Sequence, residues 1–130
     1  MNFNILSIGK FKSDDNYEKL FLDYKKRIPW KINLKELVLK KNLENDELKK
    51  AEGELLISNI SKNSKIIVLD ERGLIISTND FYKKITDYEN QAFPNIDFII
   101  GGSSGLSEEV RKKADFILSF GKMVFPHMMI

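Results

Sequence analysis

Few residues in this sequence can do chemistry, and the first candidate is a loop rather than a side chain. Residues 98–106 read FIIGGSSGL: the apolar run Phe98-Ile99-Ile100 opens into Gly101-Gly102-Ser103-Ser104-Gly105, and a polar helical segment follows from Ser107. A buried strand ending in such a loop presents backbone N–H and C=O groups with no side chains in the way. In open α/β sheets, ligands bind at these carboxyl ends. The glycines match neither familiar nucleotide fingerprint. G-x-G-x-x-G from Gly101 would need glycine where Ser103 and Leu106 stand, and a P-loop ending at Gly9-Lys10 would need glycine where Asn4 stands. Taken alone, the loop is open to two readings, a tight connection or a binding loop. Its strand-end place and its serines favour binding.

Two further candidates carry side chains. Leu69-Asp70-Glu71 closes another apolar run, where acids either hydrogen-bond a ribose or an ammonium group or cap a turn. His127 is the only histidine, the side-chain type whose ordinary charge change lies near neutrality. Spacing supports no Ser-His-Asp arrangement, so a substrate-contacting role stands beside that of a structural hydrogen-bonder. With no cysteine and one histidine, the sequence has no thiolate nucleophile and no His or Cys metal cluster, so a metal site would need carboxylates alone.

Charge narrows the partners. A net +2 is nearly balanced, so charge alone does not announce a nucleic-acid-binding domain. Lys25, Lys26, Arg27 and Lys31 read as a solvated helix face, with a phosphate-contacting patch as the minor alternative. No apolar stretch approaches the roughly 20 residues of a membrane span. The first residues, MNFNILSIGK, lack the basic and apolar regions of a secretory signal, so a cytoplasmic protein is expected.

At 130 residues the chain suits a single domain with one proper core. Residues 3–9 read as a buried strand. Asp14/Asp15 offer an N-cap to a helix whose apolar positions Tyr17, Leu20, Phe21, Tyr24 and Ile28 follow the helical period, ended by Pro29. Ile32-Asn33-Leu34 starts a second strand, continued by Leu37-Val38-Leu39 with an alternation slip that predicts a bulge or an edge. A helix is expected over 47–60, with Leu48, Ala51, Leu55, Leu56 and Ile60 on one side. Gly53 within it costs about 1 kcal/mol against alanine unless something packs closely there. Residues 65–70, KIIVLD, are the clearest strand, with burial on both faces, and Asp70-Glu71-Arg72-Gly73 reads as a turn. Ser77 to Asp80 resembles a capping box before a helix showing Phe81, Ile85 and Tyr88. Strand 96–100, a short helix capped by Ser107 with Leu106 as its staple, and strand 115–120 complete the series. Strands alternating with helices imply an α/β domain, a mainly parallel sheet of five or six strands with helices on both faces.

Four motifs in order, ILSIGK (5–10), LDERG (69–73), FIIGGSSGL (98–106) and LSFGKMVFPH (118–127), span essentially the whole chain. Together they closely resemble the RlmH family of SPOUT methyltransferases, enzymes that use S-adenosylmethionine to methylate a pseudouridine of 23S rRNA. The resemblance implies a trefoil knot in the C-terminal half, a rare departure from unknotted topology, and a homodimer. It implies that Leu69, Gly101 and the run Phe120, Gly121, Lys122, Met123, Val124 and Phe125 line the cofactor pocket, with the adenine read largely by backbone groups. His127 matches the histidine of the family's Pro-His motif, where it would relay a proton or orient the substrate. No metal or membrane is implied. The family continues past Pro-His into a helix that closes the knot and supplies dimer surface. Here the sequence stops at Ile130, so an incomplete knot and a shortened chain are expected. Two other readings compete: an inactive remnant lacking that helix, and a doubly wound nucleotide-binding module without catalysis.

Overall fold

The computed structural model describes residues 1–12 and 16–130. Strands and helices alternate as β1 (Asn2–Ile8), α1 (Asn16–Arg27), β2 (Lys31–Leu37), α2 (Asn45–Ser58), β3 (Ser64–Ile75), α3 (Thr78–Asn90), β4 (Asn95–Ile100), α4 (Glu108–Lys113) and β5 (Phe116–Ser119), followed by a 3-10 turn over His127–Met129. Among the described residues the strands form one 5-stranded sheet in the order β2-β1-β4-β3-β5. Every pairing in it is parallel, as the βα alternation predicts.

Successive side chains of a strand point to opposite faces, and each face buries its own cluster. On one, Leu6, Ile8, Ile66, Val68 and Ile99 pack with Leu56 of α2 and Val110 of α4. On the other, Ile67, Ile96, Phe116 and Leu118 pack with Ile85 and Tyr88 of α3. Each such fully buried side chain is worth about 1.5–3 kcal/mol, so the inner strands are held from both sides. Helices therefore lie on both faces.

The alternation slip after Leu34, which predicts a bulge or an edge, marks an edge: β2 runs regularly from Lys31 to Leu37 as an edge strand, in unbroken register with β1, and Val38 lies beyond it. One local expectation changes. Asp70 to Gly73 is not a turn between elements. β3 continues through it because β5 offers a ladder on both sides, pairing Leu69 with Leu118 and then Leu74 with Leu118 across an irregularity. The cap assigned to Asp14/Asp15 lies outside the described residues.

Helix α1 has the expected period but no buried residue. Leu20, Phe21, Tyr24 and Ile28 instead roof an apolar cleft of about 610 Å³ whose floor is the face of β1 and β2 bearing Phe3, Ile5 and Leu34. Two serines cap as their positions predict: Ser77 Oγ accepts from Asp80 N at 3.0 Å, and Ser107 Oγ accepts from Val110 N at 3.3 Å.

What packs closely on Gly53 is that second cap. A Cβ on Gly53 would overlap Ser107 Oγ and lie 3.2 Å from its Cβ and 3.3 Å from Val110 Cγ2. Gly53→Ala should gain about 1 kcal/mol of helix propensity. It should also lose roughly 1–3 kcal/mol to overpacking and about 1 kcal/mol from the displaced cap. A net loss of about 1–3 kcal/mol in urea unfolding is expected, opposite in sign to an ordinary Gly→Ala exchange in a helix.

Candidate active site

The carboxyl ends of β4 and β5 and the middle of β3 converge on a cleft of about 860 Å³. Leu69 reaches it from β3, Gly101 and the loop to Leu106 from the end of β4, and Phe120, Gly121, Met123, Val124 and Phe125 from the segment after β5. Two motifs separated in sequence thus become facing walls. Lys122 is exposed and does not line the cleft.

Each wall has its own internal fixings. The Gly105 N–H donates to Gly102 O at 3.0 Å and closes the first loop on itself. Leu106, only 5% exposed, anchors that loop in the core. Behind the second wall, the Ser119 hydroxyl donates to Gly121 O at 2.7 Å and accepts from Gly121 N at 3.0 Å. That bracket is not visible in the sequence, where Ser119 reads only as part of the strand 115–120. In contrast, Met123 and Val124 hold their apolar side chains in solvent, 71% and 78% exposed.

His127 borders both this cleft and the apolar one under α1. Its Nε2 is buried and has no hydrogen-bond partner. The ring lies against Gly9, where a Cβ would stand 2.8 Å from Nε2 and 2.9 Å from Cε1. Gly9 also has φ 108°, a conformation that side chains disfavour. The glycine of the first motif is therefore the seat of the histidine of the last, a contact invisible to local spacing.

Asp70 is engaged by the protein's own cations. Its carboxyl accepts from Arg72 N at 2.9 Å, Arg72 Nε at 3.2 Å and Arg72 Nη2 at 3.0 Å, and Arg111 Nε of α4 lies 3.6 Å away. Burial opposes its charge, but the bonds from Arg72 and the charges of Arg72 and Arg111 outweigh burial and hold it below the usual carboxylate range. Asp70 thus fixes Arg72 in the cleft wall. Glu71 is exposed beside it.

One group on this side has no counterpart in the sequence reading. Glu52 of α2 is 8% exposed, and its Oε1 is buried without a hydrogen-bond partner. The signal for it was the helical stripe itself, since Glu52 falls between Leu48 and Leu56 at intervals of four.

A parallel α/β sheet with helices on both faces, whose strands end in two loops about one cleft, is a domain of the doubly wound class. Residues 1–130 match a family model described as "Predicted SPOUT methyltransferase". Among curated proteins, the chain is 35% identical over 130 residues to a protein of Paramagnetospirillum magneticum named ribosomal RNA large subunit methyltransferase H, covering 100% of this chain and 85% of that one. A protein of the same name from Halothermothrix orenii is 37% identical over 138 residues, covering 100% and 86%. A third, from Rhodospirillum centenum, is 38% identical over 111 residues, covering 85% and 73%. The chain belongs to the SPOUT methyltransferase family.

Proposed function

We propose that this chain transfers the methyl group of S-adenosylmethionine to a ring nitrogen of a pseudouridine in 23S rRNA, acting on the ribosome in the cytoplasm as a homodimer. The observation that carries the reading is the cleft, which the 101–106 loop and the 120–125 segment line together with the middle of β3. Similarity along the whole chain to proteins named as methyltransferases of large-subunit rRNA supports it.

The residues present fit the cofactor. One wall offers glycine backbone, suited to hydrogen-bonding an adenine edge, and the other offers Phe120, Met123, Val124 and Phe125, exposed apolar groups that a bound ligand would cover. When bound, the sulfonium supplies an already activated methyl group. The protein's own task is then mainly orientation and removal of one ring proton. In this reading His127, which borders the cleft and whose Nε2 is buried without a partner, holds or passes that proton. With a net charge of +2, recognition should depend on a folded target shared by two protomers, and binding to naked RNA oligonucleotides should be weak.

Calorimetry should show S-adenosylmethionine binding in preference to FMN or free nucleotides. Methyl transfer from labelled cofactor to ribosomes lacking the modification should then follow. His127→Ala should lower turnover by roughly 10²-fold or more while changing cofactor affinity by no more than about threefold. Unchanged turnover in that variant would remove His127 from the mechanism; preference for FMN would replace the methyltransferase reading with a nucleotide-binding one.

A further inference from the structure

Glu52 is a liability for folding where it stands. Its carboxyl is taken out of water, one oxygen has no partner, and among the described residues no ion pair reaches it. Burial pushes its pKa up, and no neighbouring cation offsets the shift. An acid raised in the folded state opposes folding once ionised, so its contribution falls as pH climbs past the unfolded value. Local costs of this kind are expected at functional sites rather than in a core built only for stability.

The carboxyl has a definite neighbour. A Cβ on Gly102 would lie 3.0 Å from Oε2 and 3.2 Å from Oε1. Glu52 therefore rests directly behind Gly102, and Gly102 lines the strand-end cleft. With no side chain at that position, only one layer of backbone separates the carboxyl from a ligand in the cleft. The other charges around the cleft do not duplicate it. Asp70 is engaged by Arg72 and Arg111, Glu71 is exposed to solvent, and Lys49 and Arg72 are cations.

We infer that Glu52 makes the cleft selective for a ligand bearing a positive charge, favouring a sulfonium cofactor over the neutral thioether left after methyl transfer. The two differ by one unit of charge and a methyl group. A buried carboxylate one backbone layer away acts through a medium of low effective dielectric, and a preference on the order of tenfold follows. Such a preference would help the spent cofactor leave. Glu52 touches neither ligand in this account and acts through its field. The inference rests on the reading of the cleft as the S-adenosylmethionine site.

The experiment is calorimetry of the wild-type chain, Glu52→Gln, Glu52→Met and Glu52→Asp with three ligands: S-adenosylmethionine, S-adenosylhomocysteine and sinefungin, which carries an amine in place of the methylsulfonium. Gln and Met should keep S-adenosylhomocysteine affinity within about twofold and lose on the order of tenfold for both cationic ligands. Asp should retain the wild-type preference. Thermal melting should find the Gln variant at least as stable as wild type at neutral pH, because it removes a carboxyl whose charged form burial disfavours. If Gln and Met weaken all three ligands together, Glu52 merely supports the loop and the inference falls. It falls equally if the ratio of S-adenosylmethionine to S-adenosylhomocysteine affinity does not move. If the wild-type chain binds none of the three, the cofactor reading itself fails and takes the inference with it.

Discussion

Gly101→Val is expected to cost about 10–100-fold in affinity for S-adenosylmethionine while leaving the sheet folded. A Cβ at Gly101 would lie 2.7 Å from Leu106 Cδ2 and 2.8 Å from its Cγ, with Gly105 O at 3.3 Å. Leu106 cannot simply swing away, because it is buried in the cluster that joins α2, α4 and the sheet. The loop must therefore rise toward the cleft, or Leu106 must leave the core. Either way, overpacking of about 1–3 kcal/mol falls on the segment proposed to hold the cofactor, and each 1.4 kcal/mol is tenfold in affinity. A double variant separates this account from a general loss of structure. Gly101→Ala with Leu106→Ala removes the obstructing side chain, so cofactor affinity should recover relative to Gly101→Ala alone even though the double variant is less stable. Failure to recover would mean that the backbone of Gly101, not its freedom from Leu106, matters to the ligand.

Asp97→Ala should be the most destabilising of these substitutions, by roughly 2–5 kcal/mol in urea or thermal unfolding. Asp97 of β4 is completely buried. One carboxyl oxygen accepts from Asn4 Nδ2 at 2.9 Å and the other from the Ser61 backbone N–H at 2.7 Å. Asn4 in turn accepts from Asn33 Nδ2 at 2.9 Å, so a polar line crosses β4, β1 and β2 under the end of α2. Removing the carboxyl takes its acceptor from the Ser61 N–H, leaves Asn4 Nδ2 with only Ser61 Oγ at 3.1 Å and Asn95 Oδ1 at 3.4 Å, and opens a hole in the middle strand of the sheet. Asp97→Asn keeps the shape but must turn an N–H toward one of those donors, so a smaller loss of about 1–3 kcal/mol is expected. Cofactor binding should be unaffected where either variant remains folded, because this line lies at the opposite end of the strands from the cleft.

The strands with unbroken apolar runs were legible because burial on both faces requires such runs. The caps at Ser77 and Ser107 were legible because capping is chemistry of near neighbours. Readings failed where a distant partner decided the outcome. Asp70 to Gly73 looks like a turn locally and is strand because β5 lies alongside. The period of α1 correctly set its apolar face, yet period cannot say whether a face is packed or left over a cleft. The cleft followed the same division. Leu69, Gly101 and Phe120 were found through their motifs. Ser119, Arg111 and Glu52 were missed because their partners lie one or more elements away. Gly53 is the intermediate case: its oddity was visible in a helical pattern, but its reason, Ser107, needed the fold.

The polar line through Asp97 also bears on how the chain finds its structure. Asn4 and Asp97 are 93 residues apart, whereas Asn4 and Asn33 are 29 apart. β1 and β2 can meet as soon as α1 has crossed between them, but β1's other neighbour, β4, lies 93 residues further along the chain. The loop entropy of that closure comes due before its contacts form, which makes such parallel topologies slow to fold. Until β4 arrives, Asn4 stands on an open edge with part of its hydrogen bonding unfilled, and strands in that condition pair readily with other chains. Asp97 brings the missing partner, a single carboxyl that accepts from Asn4 of β1 and from the Ser61 N–H ahead of β3.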